Sequence, residues 1–325
     1  MKKAVLLITF NRFETTKKVF ERIRKAQPPR LYLASNGPRP DVENEGAVVS
    51  EIRSWLLNNI DWECDVHTLF REKNLGINES IPGAIDWFFQ NEKDGIIVED
   101  DCLPSDSFFD FCEQTLDKYK DNKNVWHISG ANSMDITLKN NDYSAYFSRC
   151  ITFWGWACWA DRWKNYTPDS LKFDVADIAK TFKSIAAQIY WLRILYRCNN
   201  NVSDSSDYQW NLDIMRLSGI GGYCVVPAKN LIKNIGYYGT NYKRKKKSKM
   251  LLHQQNYELE NINLPDKVVY DEEYDRQLFI KFYRIRSFMF KFILKLLAEF
   301  FTFNYNGESM TIVKQVIKIN KHKRV

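Results

Sequence analysis

"GIIVEDDCLPS", residues 95–105, places an apolar run, Gly95 to Val98, directly before three acids, Glu99, Asp100 and Asp101. A short continuous apolar run of this kind reads as a strand buried on both faces, as in a parallel sheet. Three adjacent carboxylates at the end of such a strand repel one another. Two arrangements answer that repulsion. One is an acidic surface turn that leads into the next helix. The other is a hard divalent cation, Mn2+ or Mg2+, which takes one or two carboxylates and completes its shell with diphosphate oxygens.

The same alternation runs upstream. "AVLLITF" is a strand, and "ETTKKVFERIRKA" carries Val19, Phe20 and Ile23 at helical spacing before Pro28-Pro29 stops it. "RLYLASNGP" is a second strand closed by an Asn-Gly-Pro turn; "ENEGAVVSEIRSWLLNNI" is an amphipathic helix and "ECDVHTLFRE" a third strand. "IPGAIDWFFQNE" is a helix that precedes the acidic strand. "SDSFFDFCEQTLDKYKD" is a helix after it, with Ser105 or Ser107 as N-cap, and "VWHISGAN" closes this half. Strands separated by helices of this length predict an α/β, doubly wound, mainly parallel sheet with helices on both faces. Ligands of such sheets sit at the carboxyl ends of the strands. Thr9 to Arg12, Ser35-Asn36-Gly37 and Glu99 to Asp101 should therefore converge.

Bulk properties bound the rest. The chain has 325 residues, 45% hydrophobic and 15% aromatic, enough for a substantial core. Seven cysteines (64, 102, 112, 150, 158, 198, 224), with no C-x-x-C pair, argue against a zinc site and a disulfide framework, and fit a reducing compartment. The start, "MKKAVLLITFNR", has too short an apolar core for a signal peptide and no cleavage site, so a cytoplasmic location is expected. The net charge of +7 is concentrated in "KRKKKSK" (243–249) and in the C-terminal stretch, and does not interleave with aromatics along the strand ends. That argues against nucleic acid as a partner.

The second half is less regular. "YFSRCITFWGWACWADRW" is dense in aromatics, a helix is expected over 175–198, and "SSDYQWNLDIMRLSG" enters another helix. "GYCVVPAKNLIKNIG" supplies a strand, residues 250–275 an extended acidic connector, and "RQLFIKFYRIRSFMFKFILKLLAEFFTF" a basic, aromatic helical extension. In it Lys291 and Lys295 share a face, either lying in a membrane interface or packing on the domain. The expected divisions are 1–130, 131–245 and 246–325, the last a connector with C-terminal helices.

"LLITFNR", "LYLASNGP", "REKNLGINESI", "IIVEDDCLPSDSFFDFC", "ISGAN", "WGWACWADRW" and "NLIKNIG" occur in this order. That set, over about residues 3–240, resembles bacterial glycosyltransferases of the GT-A fold, related to the inverting family of many polysaccharide synthases. It is also similar to the Golgi N-acetylglucosaminyltransferase that initiates complex N-glycans. The resemblance implies Asp101 as metal ligand, with Asp100 toward the ribose or the metal's water shell and Glu99 toward the donor sugar. It further implies Arg12 on a phosphate and Thr9, Asn36, Gly37, Arg71, Asn74 and Gly76 around the nucleotide. Asn36 stands where such enzymes commonly carry an aspartate that reads the base; its carbonyl could accept a uracil N–H. Trp154, Gly155, Trp156 and Trp210 would border the donor and acceptor sugars. Asp207 of "SSDYQW", at a helix start that favours its ionised form, would be the catalytic base, with Asp204 and Asp213 as rivals. No histidine follows "NIG" in "NIGYYGTNYK", so a third metal ligand is unassigned.

The implied activity is metal-dependent, inverting transfer of a hexose or N-acetylhexosamine from a UDP-sugar to a carbohydrate hydroxyl, with 1–130 as the nucleotide-sugar-binding half and 131–245 as the acceptor-binding and catalytic half. The acceptor would be lipid-linked, in surface polysaccharide or lipopolysaccharide synthesis at the inner face of the membrane. Two rival classes stay open. A sugar-phosphate nucleotidyltransferase would use a similar sheet, although "TFNRFETTK" lacks the glycines of its phosphate loop. A noncatalytic carbohydrate-binding protein would explain the tryptophans but not the acids.

Overall fold

The structure, a computed structural model, describes residues 1–132, 134–138, 142–166, 175–199, 210–213, 222–236, 255–281, 302–305 and 308–311. Four strands, β1 (Ala4–Thr9), β2 (Arg30–Ser35), β3 (Asp65–Phe70) and β4 (Asp94–Glu99), run parallel in the order β3-β2-β1-β4. They alternate with α1 (Phe13–Ala26), α2 (Glu45–Asn58) and α3 (Ile77–Asn91). The chain winds outward from β1 to β3 and then returns to the other side of β1. The topological switch therefore lies between β1 and β4, where Ile8 pairs with Glu99.

The alternation of side chains across each strand explains the layers. Ala4, Leu6, Tyr32 and Ile97 face one side with Ala84, Ile85 and Phe88 of α3. Val5, Leu7, Leu33 and Ile96 face the other with Val19, Phe20 and Ile23 of α1 and with Ile52 and Leu56 of α2. Both faces are dry, and each such side chain stabilises the fold by about 1.5–3 kcal/mol when fully buried. This accounts for the apolar runs without polar alternation in the sequence.

Past β4 the sheet continues as β8 (Trp156–Trp159), β6 (Val125–Ser129), β9 (Tyr223–Pro227) and β7 (Ala145–Ser148). β4–β8, β8–β6 and β9–β7 are antiparallel, and β6–β9 is parallel. A short β5 (Cys102–Pro104), directly after the acids, pairs with β10 (Ile232–Asn234). The molecule is thus α/β with a large, mainly parallel sheet flanked by helices. α4 (Ser107–Tyr119) joins the α1 face, and a single turn, α5 (Ala160–Trp163), follows β8.

Three local expectations differ. Neither Ser105 nor Ser107 caps α4. The backbone N–H groups of Asp106 and Ser107 donate to the carboxylate of Glu258, at 3.0 and 2.8 Å. Residues 255–275 therefore pack on the domain: Lys118 pairs with Asp266, and Tyr119 donates to the Pro265 carbonyl at 2.6 Å. The single helix expected over 175–198 is two, α6 (Val175–Thr181) and α7 (Ile185–Asn199). The Ser184 hydroxyl accepts the N–H of Ala187 at 3.4 Å, the local side-chain bond that favours a helix start over a helix interior. "KRKKKSK", Lys291 and Lys295 lie outside the described residues. No helix among the described residues is long and apolar enough to cross a membrane.

α8 (Glu272–Lys281) is tied to the end of β7 by Asp275, which is 2% exposed. Its carboxylate accepts from the Ser148 hydroxyl, from the Arg149 N–H at 3.0 Å and from the Tyr270 hydroxyl at 3.0 Å. Burial nevertheless pushes its pKa up to about 6. A carboxyl raised in the folded state contributes stability below its unfolded pKa and loses it as pH rises through the folded value. Between roughly pH 4 and 6.5 the unfolding free energy should fall by on the order of 2–3 kcal/mol from this group. Urea unfolding at pH 4.5 and 7.5 should show that slope in the wild type and its absence in Asp275→Asn.

Candidate active site

The three strand ends converge. A cleft of about 550 Å3 opens at the carboxyl ends of β1, β2 and β4, lined among others by Thr9, Arg12, Asn36, Arg71, Glu99 and Asp100. Asn74 and Gly76 line it as well, and Phe10, Arg39 and Ser80 are further wall residues that the sequence reading had not singled out.

The acidic end of β4 has a built-in counter-cation. Arg12 Nη1 lies 3.1 Å from Asp100 Oδ1 and 2.6 Å from Asp101 Oδ2. Asp100 is 6% exposed, and its Oδ2 also accepts the Phe10 N–H at 3.1 Å. Burial, and then the adjacent Asp101 charge, push the Asp100 carboxyl well above the usual carboxylate range against the pull of Arg12. On the arginine, burial opposes the charge, but Asp100, Asp101 and Glu99 together outweigh it and hold the guanidinium above its ordinary value. Asp101 is roofed by the "NIG" segment. The Ile235 N–H donates to its backbone carbonyl at 2.7 Å, and a Cβ on Gly236 would fall 2.1 Å from its Oδ2. Only glycine lets that segment pass so close to the acids.

A divalent cation fits this site in one form. Among the described residues no group of three His, Cys, Asp or Glu side chains is arranged to hold a metal ion. One or two carboxylates suffice when a diphosphate supplies the remaining oxygens, so Asp101, with Asp100 behind it, suits a cation that arrives with such a ligand. Arg12 already holds the Oδ2 of Asp101.

The opposite wall is a laced turn. Asn36 Oδ1 accepts the N–H groups of Gly37 at 3.0 Å and of Leu75 at 3.2 Å, and Asn74 Nδ2 donates to the Gly37 carbonyl at 2.9 Å. Gly37 lies so close to Lys73 that a Cβ would meet its backbone at 2.4–2.6 Å. Arg53, missed in the sequence, pins this wall by donating to the carbonyls of Ser35, Asn36 and Arg71. Thr9 is 3% exposed and donates to the Ala34 carbonyl at 3.3 Å.

Two more arginines face the cleft. Arg39 is bonded to Glu45, which is 4% exposed and also accepts from Asn11 at 2.7 Å. The Arg39 hydrogen bonds hold Glu45 below its usual range. Arg71 donates to the Ser80 carbonyl at 2.8 Å and has no salt bridge among the described residues; burial lowers its pKa. The guanidinium most available to an incoming anion is therefore that of Arg71, while Arg12 and Arg39 are already paired.

The aromatic segment is placed differently from expectation. Trp156 is 1% exposed, stacked on His127 with ring centroids 4.9 Å apart, and Trp210 is fully buried against Trp163 at 5.1 Å. Both are core residues and offer no open face to a sugar. Gly155, at φ +58°, supports a tight approach to the Ile232 side chain, and its carbonyl accepts the Gly130 N–H at 2.7 Å. Trp154 is half-buried against the α4 side of the core. The sequence marks these residues as apolar and aromatic, which does not separate a sugar platform from an interior strand. Asp207 and Asp204 lie outside the described residues, and Asp213 is 1% exposed.

No protein-family model and no curated protein matches the chain. Solved structures similar to it include HddC from Yersinia pseudotuberculosis complexed with GMP-PN, at 10% identity and TM-score 0.25 over 45% of this chain and 57% of that one. The glycosyltransferase GlyE in Streptococcus pneumoniae TIGR4 is 10% identical, with TM-score 0.32 over 65% of this chain and 43% of that one. UDP-glucose pyrophosphorylase complexed with UDP-glucose is 9% identical, with TM-score 0.30 over 51% of this chain and 79% of that one. The match thus spans about half the length of the first two, and likeness at this level assigns no activity.

Proposed function

We propose that the protein is a glycosyltransferase that binds a nucleotide sugar in the β1/β2/β4 cleft and transfers its sugar, with inversion, to a carbohydrate hydroxyl. The observation that supports this most is the cleft itself. It lies at the switch point of a doubly wound sheet, it is large enough for a nucleotide, and arginines and carboxylates meet there. The sequence resemblance adds the sugar class, a hexose or N-acetylhexosamine, and the uridine form of the donor.

In this reading the nucleoside lies along the β2 wall and the diphosphate toward Arg71 and the end of β1. Mn2+ or Mg2+, when bound, would neutralise the leaving diphosphate, with Asp101 as its protein ligand. Arg12 and Arg71 supply fixed positive charge to the same phosphates, and Glu99 faces the sugar. Asp207 takes the proton of the attacking hydroxyl. The basic C-terminal stretch is proposed to rest on anionic lipid at the cytoplasmic face, where a lipid-linked acceptor of surface polysaccharide synthesis is presented.

Incubation with nucleotide sugars labelled in the sugar and in the base separates the readings. A glycosyltransferase releases free nucleoside diphosphate and labels an acceptor. A nucleotidyltransferase consumes pyrophosphate and yields nucleoside triphosphate. A carbohydrate-binding protein releases neither product.

A further inference from the structure

A second cavity of about 550 Å3 shares no lining residue with the cleft. It opens between the α6–α7 turn and one face of α8, beside Arg149, the residue that follows β7. β7 runs antiparallel to β4, so Arg149 stands at the opposite end of the strands from Glu99. Phe182, Ala187, Phe279 and Ile280 make apolar walls, braced where Phe182 meets Phe279 edge-on with ring centroids 5.5 Å apart.

The guanidinium of Arg149 is held in place without an oxyanion. Its Nη1 donates to the Thr181 carbonyl, and its plane lies over the Tyr270 ring, 4.3 Å from the centroid. Its Nε is buried and has no hydrogen-bond partner among the described residues. Asp275 takes the backbone N–H of Arg149 and the Ser148 and Tyr270 hydroxyls, and no ion pair reaches the guanidinium among the described residues. Lys183, on the exposed rim, is a second cation with no ion pair there. Arg276 is already held by Glu273, and Glu272 is the exposed acid of the mouth. A partly enclosed cation gains from an oxyanion, and the planar guanidinium matches carboxylate and phosphate alike. From this we infer a second binding site, for a molecule with one oxyanion head, a carboxylate or a phosphate monoester, and an apolar body. The head meets Arg149 and Lys183, and the body lies along the two phenylalanines. The site stands apart from the nucleotide reading of the cleft.

Titration calorimetry with hexyl phosphate, hexanoate, hexanol, hexylammonium and inorganic phosphate tests it. At least one of the two hexyl acids should bind the wild type about tenfold more tightly than the other three probes, the scale of one charged hydrogen bond, and the better acid identifies the head. Arg149→Met should abolish that preference, and Arg71→Ala, in the cleft, should keep it. A melting curve shows whether R149M is folded; where it is not, Lys183→Glu on the exposed rim decides, with an expected loss of about tenfold. A wild type that binds neither acid, or binds hexanol, hexylammonium or inorganic phosphate as tightly, overturns the inference. So does a preference that folded R149M keeps, that R71A loses, or, where R149M does not fold, that K183E keeps.

Discussion

Arg12→Ala should lower the unfolding free energy at pH 7.5 by about 3 kcal/mol, because it removes the counter-charge of two largely buried carboxylates. The side chains of Arg12, Asp100 and Asp101 are 23%, 8% and 15% exposed, so water cannot take over the role of the guanidinium. The two adjacent carboxylates would then repel each other without a counter-charge. The loss should shrink in acid, where Asp100 protonates, and Asn in place of Asp100 should restore part of it in the double variant. Urea unfolding at pH 5 and pH 7.5 measures both. A cost under about 1 kcal/mol at pH 7.5 would put the pair among ordinary surface bridges.

Asp207→Asn should reduce transfer by roughly 10²–10⁴-fold, the usual contribution of a positioned general base, with nucleotide affinity unchanged. Asparagine keeps the size of the side chain and cannot take a proton. Trp210, three positions later, is fully buried against Trp163 and Trp126, and the Trp163 indole N–H donates to Asp86 of α3 at 2.7 Å. Trp210 is thereby anchored in the core on the α3 side of the sheet. Single-turnover transfer, measured beside a nucleotide titration, gives both quantities. Transfer that survives the substitution places the base elsewhere.

How far the sequence discloses this molecule depends on the range of the interactions. The parallel half is legible because each strand is buried on both faces and each helix carries its own periodic face, so local pattern and tertiary role agree. The convergence of Arg12, Asn36 and Asp100 follows from the same logic, since all are strand-end residues. What those residues do is not local. Arg12 meets Asp100 from 88 positions away, and the cap on Ser107 of α4 comes from 151 positions away, where no spacing rule reaches. β5 and β10 have three residues each and pair across more than a hundred positions, too short for any periodicity. "WACW" misleads for a different reason. Indole rings suit a sugar and an interior equally well, and only the neighbours of β8 decide between them.

The antiparallel docking of β8 on β4 bears on how the protein could be divided. Residues 1–130 look self-sufficient as alternating strands and helices, yet β8 covers the far edge of β4, pairing Ile96 with Ala157 and Ile97 with Trp156. A fragment cut at 130 would bare a hydrophobic ribbon of unpaired amides beside the acids, an invitation to self-association rather than a minimal nucleotide binder.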